Sequence, residues 1–582
     1  MSGADHDASV PEPVPADAIY ASEAEGDRYR STAFVPTPYS ELEIAPVTGS
    51  FPDPGQEAAE RYRTLDLPKV PKLKHVLGPS AIMLGASLGS GETLFWPFIV
   101  SEHGWVLYWA FLVGVITQFF INTEIQRWTL ATGESVFRAF ERVGRVWPWF
   151  FLLAGFVSLG WPGWAASAAQ VAAVGLGVGE GTVTIAGVVL PAWKILSIAL
   201  LLAIYASYNL SSVMYRVVET GQTMLVILAV LLTLVLVAVV GSYSGHLAAP
   251  EANALAGSVP AGMDLAVLLG ALAYAGAGGY LNLSQSLWVR EKGYGMSIFQ
   301  GRVRNPFMGE KPEPVHRSGF TFPPSSQNLE RWRAWWRLAQ LEHFLTFVLG
   351  LLLVATAMMT VPGPFDVSGA TGAVTMWLEG IVPQLGDVGR VLVYLVLFIS
   401  LFTTEYAIVE SFVRNSSDIV YEAFGRAAGW NLSTVFYGLL TLFIGWGILI
   451  IALPFEHPFG LLVRAAAMSG IMMWPYNALT LIVNTTRLPE HLQPGWVRVA
   501  VMWWATGFFG FFSTLLIGDT LVGLGLPAFA VGLDGGPIGA GGFALWALFL
   551  AVQAVTVVVS TRAKLAAAGT VPGSERVRGL FH

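Results

Sequence analysis

Twelve apolar stretches, each long enough to cross a bilayer as a helix, run along this chain. They fall at about 77–101, 105–131, 146–176, 190–210, 219–241, 263–289, 336–361, 388–413, 431–453, 458–484, 496–518 and 541–561. A crossing needs roughly 20 predominantly apolar residues. Hydrocarbon offers no water to backbone amides, so open apolar stretches of this length must close their own hydrogen bonds as helices. Composition agrees: 12% of the residues are charged, against about 25% in soluble domains, and the mean hydropathy is +0.59. The expectation is an all-α polytopic membrane protein of about 12 transmembrane helices. The chain has no cysteine, which excludes disulfides, thiolate metal sites and iron–sulfur clusters. No nucleotide-binding loop, metalloprotease helix or nucleophile elbow is present. The glycine-rich Gly177 to Thr182 segment has no lysine, so it is no phosphate loop. We therefore expect no enzyme, no resident cofactor and no nucleic-acid partner.

The basic residues then orient the helices. Lys69, Lys72 and Lys74 precede helix 1, and Arg138, Arg142 and Arg145 separate helices 2 and 3. Arg216 lies between helices 4 and 5, and the 6–7 connection carries nine Arg and Lys from Arg290 to Arg337. Arg414, Arg426, Arg487, Arg498, Arg562 and Lys564 fall on the same side if twelve helices alternate. The positive-inside rule places that side, with both termini, in the cytoplasm. The Ala-, Gly- and Val-rich composition suggests a bacterial inner membrane. Residues 1–75 are acidic and Pro/Ala-rich and read as a disordered cytoplasmic tail; 562–582 is a short C-terminal tail. The 290–337 loop is too polar to cross. It is expected to lie against anionic headgroups, anchored by Trp332, Trp335 and Trp336, with a protein-binding platform as the alternative.

Two helices are interrupted in matching places. Helix 1 holds Gly89-Ser90-Gly91-Glu92, and helix 6, first of a second group of five, holds Gly276, Gly278 and Gly279. An odd number of helices per unit inverts the second five (263–484) relative to the first (76–241), with 496–561 left over as two extra helices. Glycine-broken helices at corresponding positions of inverted halves point to a transporter's binding site. Glycines alone would serve close packing equally well. Glu92 has no such use, because a carboxylate at the helix centre costs about 2.5–3.5 kcal/mol on insertion scales.

From Gly78 to Pro489 the chain resembles the Nramp divalent-metal transporters. The similarity rests on "GPSAIMLGASLGSGETLFWPFI", "YWAFLVGVITQFFINTEIQRWTLATGESV", "VLFISLFTTEYAIVESFVRNSSDIVYEAF" and "MMWPYNALTLIVNTTRLP". The resemblance implies a LeuT-type 5+5 inverted repeat, alternating access, and metal uptake often coupled to protons. The chain departs from the family at its metal site. The family's DPGN falls on Gly89, Ser90, Gly91 and Glu92, and its Met-Pro-His on Gly278, Gly279 and Tyr280. Without the soft thioether, the remaining oxygens suit a harder cation or protons. They are Glu92, carbonyls near Gly89 and Ala277, and the side chains of Ser90, Tyr280 and Asn282.

Three further groups, Glu405, Arg464 and His343, are candidates for coupling or gating. Glu405 lies deep in helix 8, whereas Glu410 is placed to pair with Arg414 as a surface bridge. Arg464 in helix 10 either snorkels, pairs with Glu456, or faces Glu92 or Glu405 as a gate. His343 is a proton-relay candidate beside Glu342. The expectation is a secondary transporter of Mg²⁺, Mn²⁺, Ca²⁺ or another small cation, with proton symport open. The alternatives are an organic-solute carrier on the same scaffold, favoured if Arg464 faces the cavity, and a transport-inactive scaffold subunit.

Overall fold

The computed structural model describes residues 39–45, 61–73 and 77–582, except 180, 186–187, 245–246, 248–249, 252, 309–312, 314, 455–457, 533–534, 575–576 and 578–581. Crossing 1 consists of α1 (Pro79–Ser87), a π-helical turn (Leu88–Phe95) and α2 (Trp96–His103). Gly104 reverses the chain at φ 64°, and α3 (Tyr108–Thr132) returns as crossing 2. The short α4 (Val136–Glu141) leads into crossing 3, α5 (Val146–Leu159) and α6 (Gly163–Gly175). A hairpin of β2 (Thr182–Ile185) and β3 (Val188–Pro191) follows, then α7 (Ala192–Ser207) and α8 (Met214–Ser244) as crossings 4 and 5. Crossing 6 is α9 (Leu265–Ala273) and α10 (Tyr280–Lys292); crossing 7 is α11 (Ser326–His343) and α12 (Leu349–Thr360). The short α13 (Ala373–Thr375) precedes α14 (Asp387–Val420), α15 (Leu432–Ala452), α16 (Pro458–Thr486), α17 (Trp496–Gly523) and α18 (Ala540–Ala567), which are crossings 8 to 12.

Among the described residues, ten helical stretches are long and apolar enough to span a membrane. The first, Pro79–Thr132, has 54 residues and holds two crossings folded at Gly104. The broken α9/α10 pair adds another, which restores the twelve expected from sequence. The molecule is a multi-pass membrane protein with the LeuT-type fold.

Three local outcomes differ from the sequence reading. Crossing 1 does not unwind at Gly89–Glu92; its helix widens into two π turns and continues, a distortion common at functional sites. Crossing 3, read as one helix, breaks at Gly160-Trp161-Pro162, where Pro162 cannot donate a helix hydrogen bond. The described parts of the N-terminal segment are folded rather than free. β1 (Arg63–Thr64) pairs in parallel with β4 (Phe320–Thr321) of the 6–7 connection. The ring of Tyr39 stacks on His316 at 4.4 Å. The remainder of 1–75 lies outside the described residues.

The face that carries this N-terminal strap is also the basic face. Trp332, Trp335 and Trp336 are not lipid anchors, since all three are buried. Trp332 stacks on Trp336, and Trp335 Nε1 donates to Pro68 O at 2.8 Å. The 290–337 connection thus turns its aromatic side inward onto the bundle, and its strand edge is taken by the chain's own β1.

Candidate functional site

Crossing 6 is broken because its sequence cannot continue a helix. Gly276 (φ 142°) and Gly279 (φ 62°) adopt backbone that L side chains rarely reach. α9 therefore ends at Ala273 and α10 restarts at Tyr280. The carbonyls freed at the end of α9 are taken by crossing 2: Gln118 Nε2 donates to Leu272 O (3.2 Å) and Ala273 O (2.5 Å). Asn282, one turn into α10, donates through Nδ2 to Gln118 Oε1 (3.2 Å) and to Tyr476 Oη of α16 (2.8 Å). One amide cluster therefore ties crossings 2, 6 and 10 together around the break. The N-cap of α10 is Gly279, which has no side chain to cap the helix, so the positive dipole end of this half-helix faces the break.

Crossing 1 is pressed against this break by its glycines. A Cβ on Gly91 would stand 1.8 Å from the carbonyl oxygen of Tyr274, and one on Gly89 would stand 2.3 Å from Ser400 O of α14. Gly89 N–H donates to Thr404 Oγ1 (2.9 Å), which donates to Gly85 O (3.0 Å). Trp377 Nε1 donates to Thr93 O at 2.8 Å. The π turn leaves Glu92 fully buried, and neither carboxylate oxygen has a hydrogen-bond partner in the protein. Ser400 Oγ, on the stretch of α14 that Gly89 packs against, and Asn282 Oδ1, just past the crossing-6 break, are also buried without a partner. Buried polar atoms are normally paired, so the four orphaned oxygens of these three residues make the surroundings of the crossing-6 break the candidate site.

The remaining predicted residues separate into local roles. Ser90 Oγ donates to Ser87 O (3.3 Å) within its own turn. Ala277 is buried in the break, and Gly278 folds tightly over Ala273. Tyr280 gives its carbonyl to Asn415 Nδ2 (2.9 Å) and packs its ring on Gly155. Glu405 serves the break in crossing 3. It accepts from Ala165 N–H (3.1 Å) at the start of α6 and closes the helix-3 break, where a carboxylate meets a positive dipole end. A small cavity lined by Gly160, Pro162, Glu405 and Trp446 lies beside it. Arg464 is exposed and faces neither carboxylate; its pairing with Glu456 falls outside the described residues. His343 is buried, with Nδ1 on Ser80 Oγ (2.8 Å) and Nε2 unpartnered. Glu342 accepts from Ser80 N–H (3.3 Å) and hydroxyl, so this pair holds the start of α1.

The basic face above the break is sealed by buried ion pairs. Arg414 bridges Glu410 and Glu291 (3.0 Å to the latter), and Tyr208 Oη donates to Glu410 (2.8 Å). The Glu410–Arg414 bridge is thus interior, not superficial as the sequence suggested, because α10 and α8 cover it. Arg290 pairs with Asp418 (2.7 Å), and Glu124 receives both Arg127 and Arg498 (2.9 Å each). No group of three or more His, Cys, Asp and Glu is gathered in metal-binding geometry among the described residues. A cation here would need one carboxylate plus amide, hydroxyl and carbonyl oxygens, a donor set for hard ions.

Sequence reasoning missed Gln118 as a site residue and Tyr476 altogether. Gln118 sits on a helix whose glutamine was visible, but only the folded chain shows it capping α9.

Comparison with known proteins supports the architecture. No family model and no curated protein matches the chain. Crystal structures of the Eremococcus coleocola manganese transporter superpose with a TM-score of 0.58 for one mutant at 10% identity. The same protein in complex with an aromatic bis-isothiourea substituted compound gives 0.55 at 11% identity. Each comparison covers 86% of this chain and 98% of the other. At such identity the likeness establishes the fold.

Proposed function

We propose that this protein is a secondary transporter that moves a small, hard cation across the membrane by alternating access, with Glu92 as its principal ligand. The reading rests on one observation above all: a fully buried carboxylate with no partner, held in a π turn against the broken crossing 6. A carboxylate at that depth needs a cation or a proton beside it. In this reading Asn282 Oδ1, Ser400 Oγ and the carbonyls of the 274–279 break would supply the other oxygens of the donor set. Mg²⁺, Ca²⁺ and Mn²⁺ are the ions of choice for it. The superposed transporter is a manganese transporter, and this chain shares its fold without its sequence; the cargo assignment therefore comes from the donor atoms. Proton exchange at Glu92 would couple uptake to a pH gradient. The basic face is assigned to the cytoplasm, so the buried ion pairs around Arg414, Asp418 and Glu124 form the inner gate. The organic-solute reading loses its main support with Arg464 at the surface.

Uptake into proteoliposomes containing a pH dye tests this. Saturable influx of one of the three ions, abolished by Glu92→Gln, is the expected result. Protein that is folded but moves neither cation nor proton refutes it.

A further inference from the structure

We infer that Glu342, Ser80 and His343 form a proton-binding relay, separate from Glu92, at the basic-face end of crossing 1. The proposed cation site makes no use of them. Ser80 is the second residue of α1, Glu342 and His343 are the last two of α11, and all three are fully buried. The Ser80 hydroxyl stands between the other two, in contact with Glu342 Oε2 on one side and His343 Nδ1 (2.8 Å) on the other. Glu342 Oε1 accepts the Ser80 N–H at 3.3 Å. The second ring nitrogen, His343 Nε2, is buried without a partner. Ser80 lies twelve residues before Glu92, roughly 18 Å of helix.

These contacts admit two arrangements of hydrogen on the same heavy atoms. With Glu342 ionised, the hydroxyl donates to Oε2 and accepts from Nδ1–H, and Nε2 carries a bare lone pair. One added proton reverses the row. It bonds to Nε2, the Nδ1 proton passes to Ser80 Oγ, and the hydroxyl proton passes to Oε2. Glu342 is then a neutral acid whose carbonyl oxygen Oε1 still accepts the Ser80 amide, and the imidazole is neutral in its other tautomer. No heavy atom has to move, so a proton taken up at one end is delivered at the other.

The surroundings favour a proton over an ion pair. Glu124, Glu291, Glu410 and Asp418 each have an arginine in contact. Among the described residues Glu342 has no arginine or lysine in contact. Lys292 of α10 is in electrostatic reach but is bound to Glu219 of α8 (2.5 Å), and Tyr215 of α8 also lies near. The rings of Phe119 in α3 and Phe347 beyond α11 cover His343. α14 meets crossing 1 further along, at Gly85 and Gly89. A carboxylate buried at this depth without a cation is costly, and a shared proton removes its charge. The partly exposed Glu219–Lys292 pair marks the basic-face side of the relay, because Glu219 Oε1 lies 1.8 Å from where a Cβ on Gly78 would stand, two residues before Ser80.

The test uses no cation, so its failure leaves the Glu92 reading untouched. Full-length Glu92→Gln protein in bilayers, with histidine labelled by nitrogen-15, is followed by infrared difference spectroscopy across pH. We expect a protonated-carboxyl band that titrates and is lost when Glu342→Gln is added. A tautomer-sensitive imidazole band, lost in His343→Gln, should change with the same midpoint. Ser80→Ala should keep the carboxyl band, move its midpoint by about one pH unit, the worth of one hydrogen bond, and abolish the concerted imidazole change. Absence of any Glu342-dependent band overturns the proposal, as does a carboxyl that titrates while the imidazole stays unchanged. Should Ser80→Ala fail to fold, the shared midpoint in the parent protein decides alone.

Discussion

Gly91→Ala should separate the two broken helices and destabilise the fold far more than one methyl group ordinarily does. Its Cβ would meet the Tyr274 carbonyl oxygen at 1.8 Å, whereas ordinary contact begins at 3.4 Å. One backbone must therefore move by about 1.6 Å, and neither is free to do so. Gly89, two residues earlier, is equally tight against Ser400, and the 274–279 segment is held by Gln118 through Leu272 and Ala273. Overpacking of a close-packed interior typically costs 1–3 kcal/mol; contact with backbone on both sides places this site at about 3 kcal/mol. Gly445→Ala in α15 is the control, because nothing lies within 4 Å of its added methyl and alanine favours helix by about 1 kcal/mol. Thermal unfolding of detergent-purified protein, followed by size-exclusion chromatography, should show Gly91→Ala melting several degrees below wild type. Gly445→Ala should match or exceed it. If Gly91→Ala melts with Gly445→Ala and still transports, crossings 1 and 6 are not in contact at the break.

Gln118→Leu should cost about 1–3 kcal/mol by taking from the buried Ala273 carbonyl its side-chain donor, read as a lowered melting temperature. Arg414→Met should cost about 3–5 kcal/mol, because Glu410 and Glu291 are then buried as uncompensated charges; exposed Arg464→Gln should stay within about 0.5 kcal/mol. Burial between Tyr39 and the 6–7 connection, reinforced by Arg426, lowers the His316 pKa to about 4. The folded state thus resists a proton that the unfolded strap accepts near 6.5. The stability of this contact is complete above about pH 6.5 and declines as pH falls toward 4. Hydrogen exchange over residues 39–45, normalised to the intrinsic rate at each pH, should rise as pH falls through that window in wild type and stay flat in His316→Phe.

The crossings were legible in the sequence because each is a long apolar run, and the break in crossing 6 because glycine alone supplies its positive φ angles. Glu92 was legible because a carboxylate amid apolar residues has no bland reading. The helix-3 break was equally visible as Gly160, Pro162 and Gly163, but apolar neighbours carried the reading through it. What no periodicity could show is pairing at a distance in sequence. Nothing near Glu405 in the sequence announces its partner, the Ala165 N–H at the start of α6, 240 residues away. Trp335 looks like a lipid anchor until Pro68, 267 residues away, is found beneath its indole. Charged residues at helix ends read as surface, yet Arg414, Asp418 and Glu124 are interior because neighbouring helices bring Glu291, Arg290 and Arg498 onto them. The widening of crossing 1 into π turns, rather than unwinding, has no marker that separates the two outcomes in a Gly-Ser-Gly segment.

The central claim is that Glu92 holds the cation, and equilibrium binding reads it without the rest of the transport cycle. Isothermal titration of Mg²⁺, Mn²⁺ and Ca²⁺ into purified wild-type protein, Glu92→Gln and Glu92→Asp is the most direct measurement. The account predicts one saturable site in the wild type, weaker binding in Glu92→Asp, none in Glu92→Gln, and proton release on binding that rises as the buffer is made more acidic. Wild-type affinity retained in Glu92→Gln, or no binding of any of the three ions by well-folded wild-type protein, would contradict it.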